Sequence, residues 1–324
     1  LLSKLYREKQ HASSSSQRSY FYQIPINGFS RANLPYITLE TEEGKNTKVI
    51  LDLGCCVFPL KLSREFLNTL DKKFVIRSES FGMRGKRYEN DVYEISKINM
   101  GDVTLTSFYA AEVNEEFNKD SDLVHGKKSD DAENDTFASL LGWKIFRKYN
   151  LFLDCKNSLI AMCDSLDTLK KEGYPVESYV ETPLLLDRDF LEFIAMTEKG
   201  PLRCVLDSGA TLSFLNKDLD GGSNEHMIFN PDNMHLHNEL NPNNEDKLVF
   251  IPDDFYTMSM FQIGTKDFGP MRFHRIKMPI EADAFIGMDF LKYVQMFIDF
   301  PNSKIYFYEP PSETASDQQE QVQE

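Results

Sequence analysis

VILDLGCC (49–56) returns as VLDSGATL (205–212). Both are short apolar runs that end in Asp-x-Gly, with Asp52 in the first and Asp207 in the second. An apolar run of this length bounded by turn residues reads as a buried strand. The glycine lets the chain turn sharply and approach a neighbour closely. One such turn usually only caps a strand. Two turns related by a pseudo-two-fold axis would set two carboxyl groups side by side.

The surroundings repeat as well, and repeats fix architecture before anything else does. FASLLGWKIFRKYNLFLDCKNSLIAM (137–162) aligns with ADAFIGMDFLKYVQMFIDFPNSKIYF (282–307). Gly142 falls on Gly287, Phe152 on Phe297, Asp154 on Asp299 and Asn157 on Asn302. Upstream, ISKINMG (95–101) matches MSMFQIG (258–264). The lead-ins YITLETEEGKNTKVILD (36–52) and FIAMTEKGPLRCVLD (193–207) also match. Four segments therefore recur in one order, and the chain reads as a duplicated unit.

Each unit is predicted to be β-rich, with Gly44 and Gly200 at hairpin turns. One short helix is expected after each Leu-Gly or Ile-Gly turn. Trp143, Phe146 and Tyr149/Asn150 share a face of the first, and Met288, Leu291 and Val294 share a face of the second. KLSREFLNTLDKK (61–73) reads as a further helix. DSLDTLKKEGYPVES (164–178) connects the units, and the polar insert 221–246 reads as a surface loop. The expected organisation is a flexible segment 1–20, a lobe over 21–165, a linker at 166–178, a second lobe over 179–310 and a flexible acidic tail at 311–324.

Two adjacent buried carboxyls cannot both ionise easily, so they share a proton and titrate apart. The ionised partner can take a proton from water, and the protonated one can donate to a carbonyl oxygen. That pairing hydrolyses peptides without metal, serine or thiol.

CVLDSGATLSFL (204–215) resembles the active-site strand and turn of retroviral and retrotransposon proteases. FIGMDFLKYVQMFIDFPNSKIYF (285–307) resembles the closing segment of the same family. The tandem layout is similar to bilobal pepsin-like enzymes. The resemblance covers roughly residues 21–309, strongly in the second unit and less so in the first. It implies an all-β, bilobal aspartic-protease (acid protease) fold, with two pseudo-symmetric β-barrel lobes carrying one or two short helices each.

Carried over by position, the resemblance makes Asp52 and Asp207 the catalytic pair and Gly54 and Gly209 the turn glycines. Cys55, Ser208, Ala210 and Thr211 are expected to support the catalytic loops. Gly142 and Gly287 match the hydrophobic-turn glycines packed beneath them. The middle residue of the family's triplet usually carries a hydroxyl that ties the loops together. Ser208 keeps it and Leu53 does not. A β-hairpin flap is expected from SESFGMRGKRYENDVY (78–93), with its tip near Gly82–Gly85 and with Phe81 and Tyr88 as residues that lean over the cleft. Its counterpart is expected near VFIPDDFYTMSM (249–260), turning at Pro252–Asp254.

Composition narrows the partners. Of 324 residues, 41% are hydrophobic and 27% charged, and the formal net charge is −15. Such an acidic chain is not expected to bind nucleic acid, which is held mainly by Lys/Arg surfaces. The acidic run at 120–135 reads as solvated surface. No apolar run approaches the ~20 residues of a transmembrane helix. Five cysteines without a paired spacing do not read as a disulfide framework. His235 and His237 are spaced like a metal pair but lack a third ligand, so neither metal nor cofactor is expected. The chain starts at Leu1, through either a removed leader or trimming; a removed leader would imply a periplasmic or secreted protein. The expected function is an aspartic endopeptidase, acting as a monomer on a peptide or protein substrate. The alternative is a catalytically impaired, protease-like peptide-binding or scaffold protein, favoured by Leu53 and Cys55.

Overall fold

A computed structural model describes residues 19–30, 32–81, 87–113, 139–186, 188–216, 234–237, 249–252, 255–276 and 282–311. For Phe81 and the strands Met234–His237 and Val249–Pro252 the backbone alone is described. The expected flexible ends (1–18 and 312–324), the flap tip Gly82–Gly85, the acidic run 120–135 and residues 253–254 lie outside the described residues.

The duplication seen in the sequence is reproduced strand by strand. In the first lobe, Pro35–Glu40 and Asn46–Asp52 form a hairpin, and Asn46–Asp52 then runs parallel to Leu140–Gly142. In the second, Glu192–Thr197 and Gly200–Leu206 form a hairpin, and Gly200–Leu206 runs parallel to Ala284–Ile286. The same short strand follows each Asp-x-Gly loop, Leu60–Leu62 in one lobe and Phe214–Asn216 in the other. Each pairs antiparallel with the Leu/Ile-Gly strand and parallel with a third strand. The hairpin glycines Gly44 and Gly200 take φ of +80° and +111°, a region only glycine enters freely.

The lobes join through a six-stranded antiparallel sheet. Its order is Phe21–Pro25, Leu159–Cys163, Asn150–Asp154, Gln295–Asp299, Lys304–Tyr308 and Val180–Pro183. At its centre Phe152 pairs with Phe297, the residue that the sequence repeat equates with it. Leu151 pairs with Ile298 and Leu153 with Met296. The pseudo-two-fold axis therefore passes between Phe152 and Phe297, and both rings are fully buried. Burying side chains of this size contributes roughly 1.5–3 kcal/mol each. Trp143 stacks on Phe300 across the lobes, with ring centroids 5.8 Å apart.

Several sequence expectations need correction. The helix expected over 61–73 is one turn, Arg64–Leu67, capped by Ser63. Lys61 and Leu62 are instead drawn into the sheet beside Ala111 and Glu112, and Lys72 already begins the next strand. Strand pairing there overrides helical periodicity. The first post-glycine helix is a 3-10 turn, Trp143–Phe146, because Asn150 is already in the central sheet. The connection between the units contains the helix Leu166–Lys171, capped by Ser165, and the 3-10 turn Val176–Ser178. Leu169 on that helix packs against Phe152 and Phe297, so this segment is part of the core. Finally, the insert expected as loop holds the strand Met234–His237, paired with Val249–Pro252. Phe255–Met258 pairs with Met271–Ile276, so VFIP and FYTM are not the two arms of one hairpin.

Candidate active site

The two Asp-x-Gly strands end at the lobe interface, one from each side. Asp52 pairs in register with Gly142, and the Asp207 amide donates to the Ile286 carbonyl at 3.0 Å. Parallel pairing of this kind leaves Asp52 at the last rung of its strand and Asp207 one residue past the end of its own, where the chain turns. The Cys55 amide donates to Asp52 Oδ1 at 3.0 Å, and the Gly209 amide donates to Asp207 Oδ1 at 3.0 Å. The two carboxyl groups converge: a Cβ built on Gly209 would lie 2.6 Å from Asp52 Oδ1 and 3.2 Å from Asp207 Oδ1.

The turn glycines are where the lobes touch most closely. A Cβ on Gly54 would stand 2.6 Å from the Asp207 carboxyl carbon. A Cβ on Gly209 would stand 2.6 Å from that of Asp52. Each glycine thus makes room for the opposite aspartate. Beneath the loops, a Cβ on Gly142 would lie 2.7 Å from the Cys55 carbonyl oxygen, and one on Gly287 would lie 2.8 Å from that of Ala210. The structure brings all four glycines against the aspartate loops.

The loops are tied together asymmetrically. Ser208 Oγ accepts from the Leu53 amide at 3.0 Å and donates to the Leu51 carbonyl at 2.7 Å. Leu53, fully buried, has no hydroxyl with which to make the matching pair of bonds. Ala210 is buried and its carbonyl accepts from the Met288 amide. Thr211 Oγ1 donates across the lobes to the Ala32 carbonyl at 2.7 Å. Cys55 is half-buried, and its Sγ donates to the Phe58 carbonyl at 3.5 Å. Burial pushes its thiol up to about 12, so it is neutral and not a nucleophile at ordinary pH.

Burial raises both aspartates, because a charge is disfavoured away from water. Asp207, 6% exposed, is raised well above the ordinary range, by burial first and by the Asp52 charge second. Asp52 is raised by burial but opposed by the Lys61 ammonium, then by the hydrogen bonds from Asp207 and from the Cys55 and Gly54 amides. Two carboxyls held this close do not both ionise readily, so the pair titrates as one unit.

The first-lobe hairpin expected as a flap is formed by Lys72–Phe81 and Arg87–Met100. Phe81 pairs with Arg87 at its described end. Tyr88 lies opposite Ser80 and is 5% exposed, on the same buried face as Asn90 and Val92. Sequence reasoning passed over Lys61. The available signal was a lone cation between two apolar residues in PLKLS (59–63). Asp154 and Asp299 each fold back onto the turn that follows, accepting from Asn157 and Asn302. Among the described residues no group of three or more His, Cys, Asp or Glu could hold a metal ion. Among the same residues, no helix is long and apolar enough to cross a membrane.

No protein-family model matches the sequence, and no curated protein matches it. Among solved structures, the chain is similar to basic 7S globulin from soybean. The two share 10% identity over 90% of this chain and 95% of that one, with a TM-score of 0.54. At that identity the likeness is one of fold: the chain has the bilobal, all-β architecture of the pepsin-like aspartic-protease fold.

Proposed function

We propose that this chain is an aspartic endopeptidase whose general base is Asp52 and whose general acid is Asp207. The observation that carries the reading is the convergence of two carboxyls, one from each lobe, on the same turn glycine. An extended peptide lies between the lobes, under the first-lobe hairpin. Asp52 takes a proton from a water, whose oxygen attacks the scissile carbonyl carbon. Asp207 gives its proton to the carbonyl oxygen, producing a neutral tetrahedral diol. Collapse returns one hydroxyl proton to Asp207, passes the proton held by Asp52 to the leaving nitrogen, and breaks the C–N bond. No covalent enzyme intermediate is required. Both aspartates come from one chain, so a monomer suffices.

The test is a peptide-library digest from pH 3 to 7, comparing the native chain with Asp207→Asn. Cleavage by the native chain that is lost in the variant supports the reading. A native chain that cleaves nothing across that range overturns it.

A second reading, a protease-like peptide-binding protein without turnover, is favoured by the missing hydroxyl at Leu53. It predicts micromolar or tighter binding of a statine-type peptide, which carries a hydroxyl in place of the attacked carbonyl, with no cleavage of any library member.

A further inference from the structure

Asp289 is a carboxyl that the proposed reaction does not use. It lies two residues after Gly287, half-buried on the helix Met288–Leu291. A carboxylate withdrawn from water is costly unless it is hydrogen-bonded. Asp289 Oδ2 accepts from the Ser213 amide at 2.9 Å, and its Oδ1 accepts from the Ser213 hydroxyl at 2.6 Å. Ser213 is fully buried, and its Oγ accepts in turn from the Gly287 amide at 3.0 Å. One side chain on the helix thus holds both donors of Ser213, at the far end of the loop that begins at Asp207.

The backbone completes the grip. The Met288 amide donates to the Ala210 carbonyl at 2.8 Å, and the Asp289 amide donates to the Thr211 carbonyl at 3.1 Å. The Ala210 amide donates to the Asp207 carbonyl at 3.1 Å. The loop 207–213 is therefore fastened to the helix along its length, and its last fastening is the Asp289 side chain.

The first lobe is built differently at the same places. Lys61 pairs with Leu140 and Phe214 with Phe285, each partner two residues before an aligned glycine. Leu60 therefore stands where Ser213 stands, and Lys144 where Asp289 stands. Leu60 has no hydroxyl, and an ammonium cannot accept from an amide. The Gly142 amide donates instead to the Pro59 carbonyl at 2.9 Å, and Lys144 pairs with Asp189 of the second lobe at 3.4 Å. The carboxylate clamp is a feature of the Asp207 loop.

We propose that Asp289 is a positioning residue for Asp207: its bonds to Ser213 clamp the loop onto the helix and fix where the Asp207 carboxyl stands against Gly54. The assignment rests on the endopeptidase reading for its catalytic meaning, while the clamp is a property of the folded chain alone. The need for it is geometric. A Cβ on Gly54 would stand 2.6 Å from the Asp207 carboxyl carbon, so the two loops meet without slack. Displacing reacting groups by about 1 Å costs roughly 100-fold in rate.

The experiment measures amide hydrogen exchange by NMR in the full chain, for wild type, Asp289→Ala and Asp289→Asn, beside kcat and KM on a cleaved library peptide. Losing a hydrogen bond to a charged acceptor frees its donor by roughly 10- to 100-fold. Asp289→Ala is expected to speed exchange at the Ser213 amide by that factor and to leave the Cys55 amide of the first loop near wild type. Its kcat is expected to fall roughly 100-fold, with KM little changed. Asp289→Asn, whose side-chain oxygen still accepts the Ser213 amide, is expected to restore most of both. Exchange that is unchanged in the loop, or that rises equally in both lobes, overturns the proposal, as does a native kcat in Asp289→Ala. Should Asp289→Ala fail to fold, Ser213→Ala removes the hydroxyl and keeps the amide. It is expected to speed exchange at the Gly287 amide by roughly 10-fold, and the same results overturn the proposal. A loosened second loop in a chain that cleaves no peptide would sink the endopeptidase reading and leave the clamp standing.

Discussion

Ser208 Oγ accepts the Leu53 amide proton across the lobe interface at 3.0 Å, and the Leu53 side chain has nothing to give back. The same hydroxyl donates to the Leu51 carbonyl. One side chain thus makes both bonds of a tie that the pseudo-symmetry would allow to be made twice. Ser208→Ala removes both and leaves a buried amide without its acceptor, which costs ~1–3 kcal/mol. Urea unfolding should show that loss, and Ser208→Thr should largely avoid it. A Ser208→Ala chain as stable as wild type would mean that the tie is not what holds the loops.

Gly54 faces the Asp207 carboxyl as closely as Gly209 faces that of Asp52. Gly54→Ala places a methyl group 2.6 Å from the Asp207 carboxyl carbon as the loops now stand. The carboxyls must move apart, and displacement by about 1 Å at a reacting centre costs roughly 100-fold in rate. Initial rates on a cleaved library peptide check this, with circular dichroism confirming the fold. Turnover within a few-fold of wild type would contradict the close approach.

Asp207 also sets a pH dependence of stability. Burial and the Asp52 charge raise it well above the ordinary carboxyl range. A carboxyl raised in the folded state favours folding while protonated, below its unfolded value near ~4. That advantage is lost as pH rises through the folded value. Asn has no proton to lose. Asp207→Asn is therefore expected to melt a few degrees higher than wild type at pH 7, with the gap closing towards pH 3. Melting curves at pH 3, 5 and 7 decide it, and a variant less stable than wild type at pH 7 would count against the buried pair.

Asp154 and Asp299 are equivalent in the repeat but not in their bonds. Asp154 accepts from Asn157 and, across the central sheet, from Gln295 Nε2 at 2.8 Å. Asp299 accepts from Asn302. Hydrogen bonds to a charged acceptor contribute about 1.5–3 kcal/mol each. Asp154→Ala should therefore cost more than Asp299→Ala by about one such bond. Equal losses in denaturant titrations would remove Gln295 from the account.

The duplication was legible because its markers are local. Apolar strands ending in Asp-x-Gly, and turns that need Gly44 or Gly200, are written in a few consecutive residues. What was hidden depends on partners distant in sequence. Lys61 looked helical because its neighbours follow helical spacing, whereas pairing with Ala111 makes it a strand residue. The strand Met234–His237 exists through its pairing with Val249–Pro252, which polar composition does not reveal. The sequence places Thr211 among the supports of the catalytic loops but does not show its partner, the Ala32 carbonyl of the other lobe. Leu53 was read as a lost hydroxyl, and Ser208 was found to make both remaining bonds of that pair alone.

The most direct measurement compares Asp52→Asn and Asp207→Asn, each alone, with the native chain on one cleaved peptide at its best pH. General acid and general base each contribute roughly 100- to 10,000-fold. The account predicts that either substitution alone lowers kcat by at least ~100-fold in a chain that still folds. A variant of either kind that keeps near-native turnover would contradict the claim that the two carboxyls act as one unit.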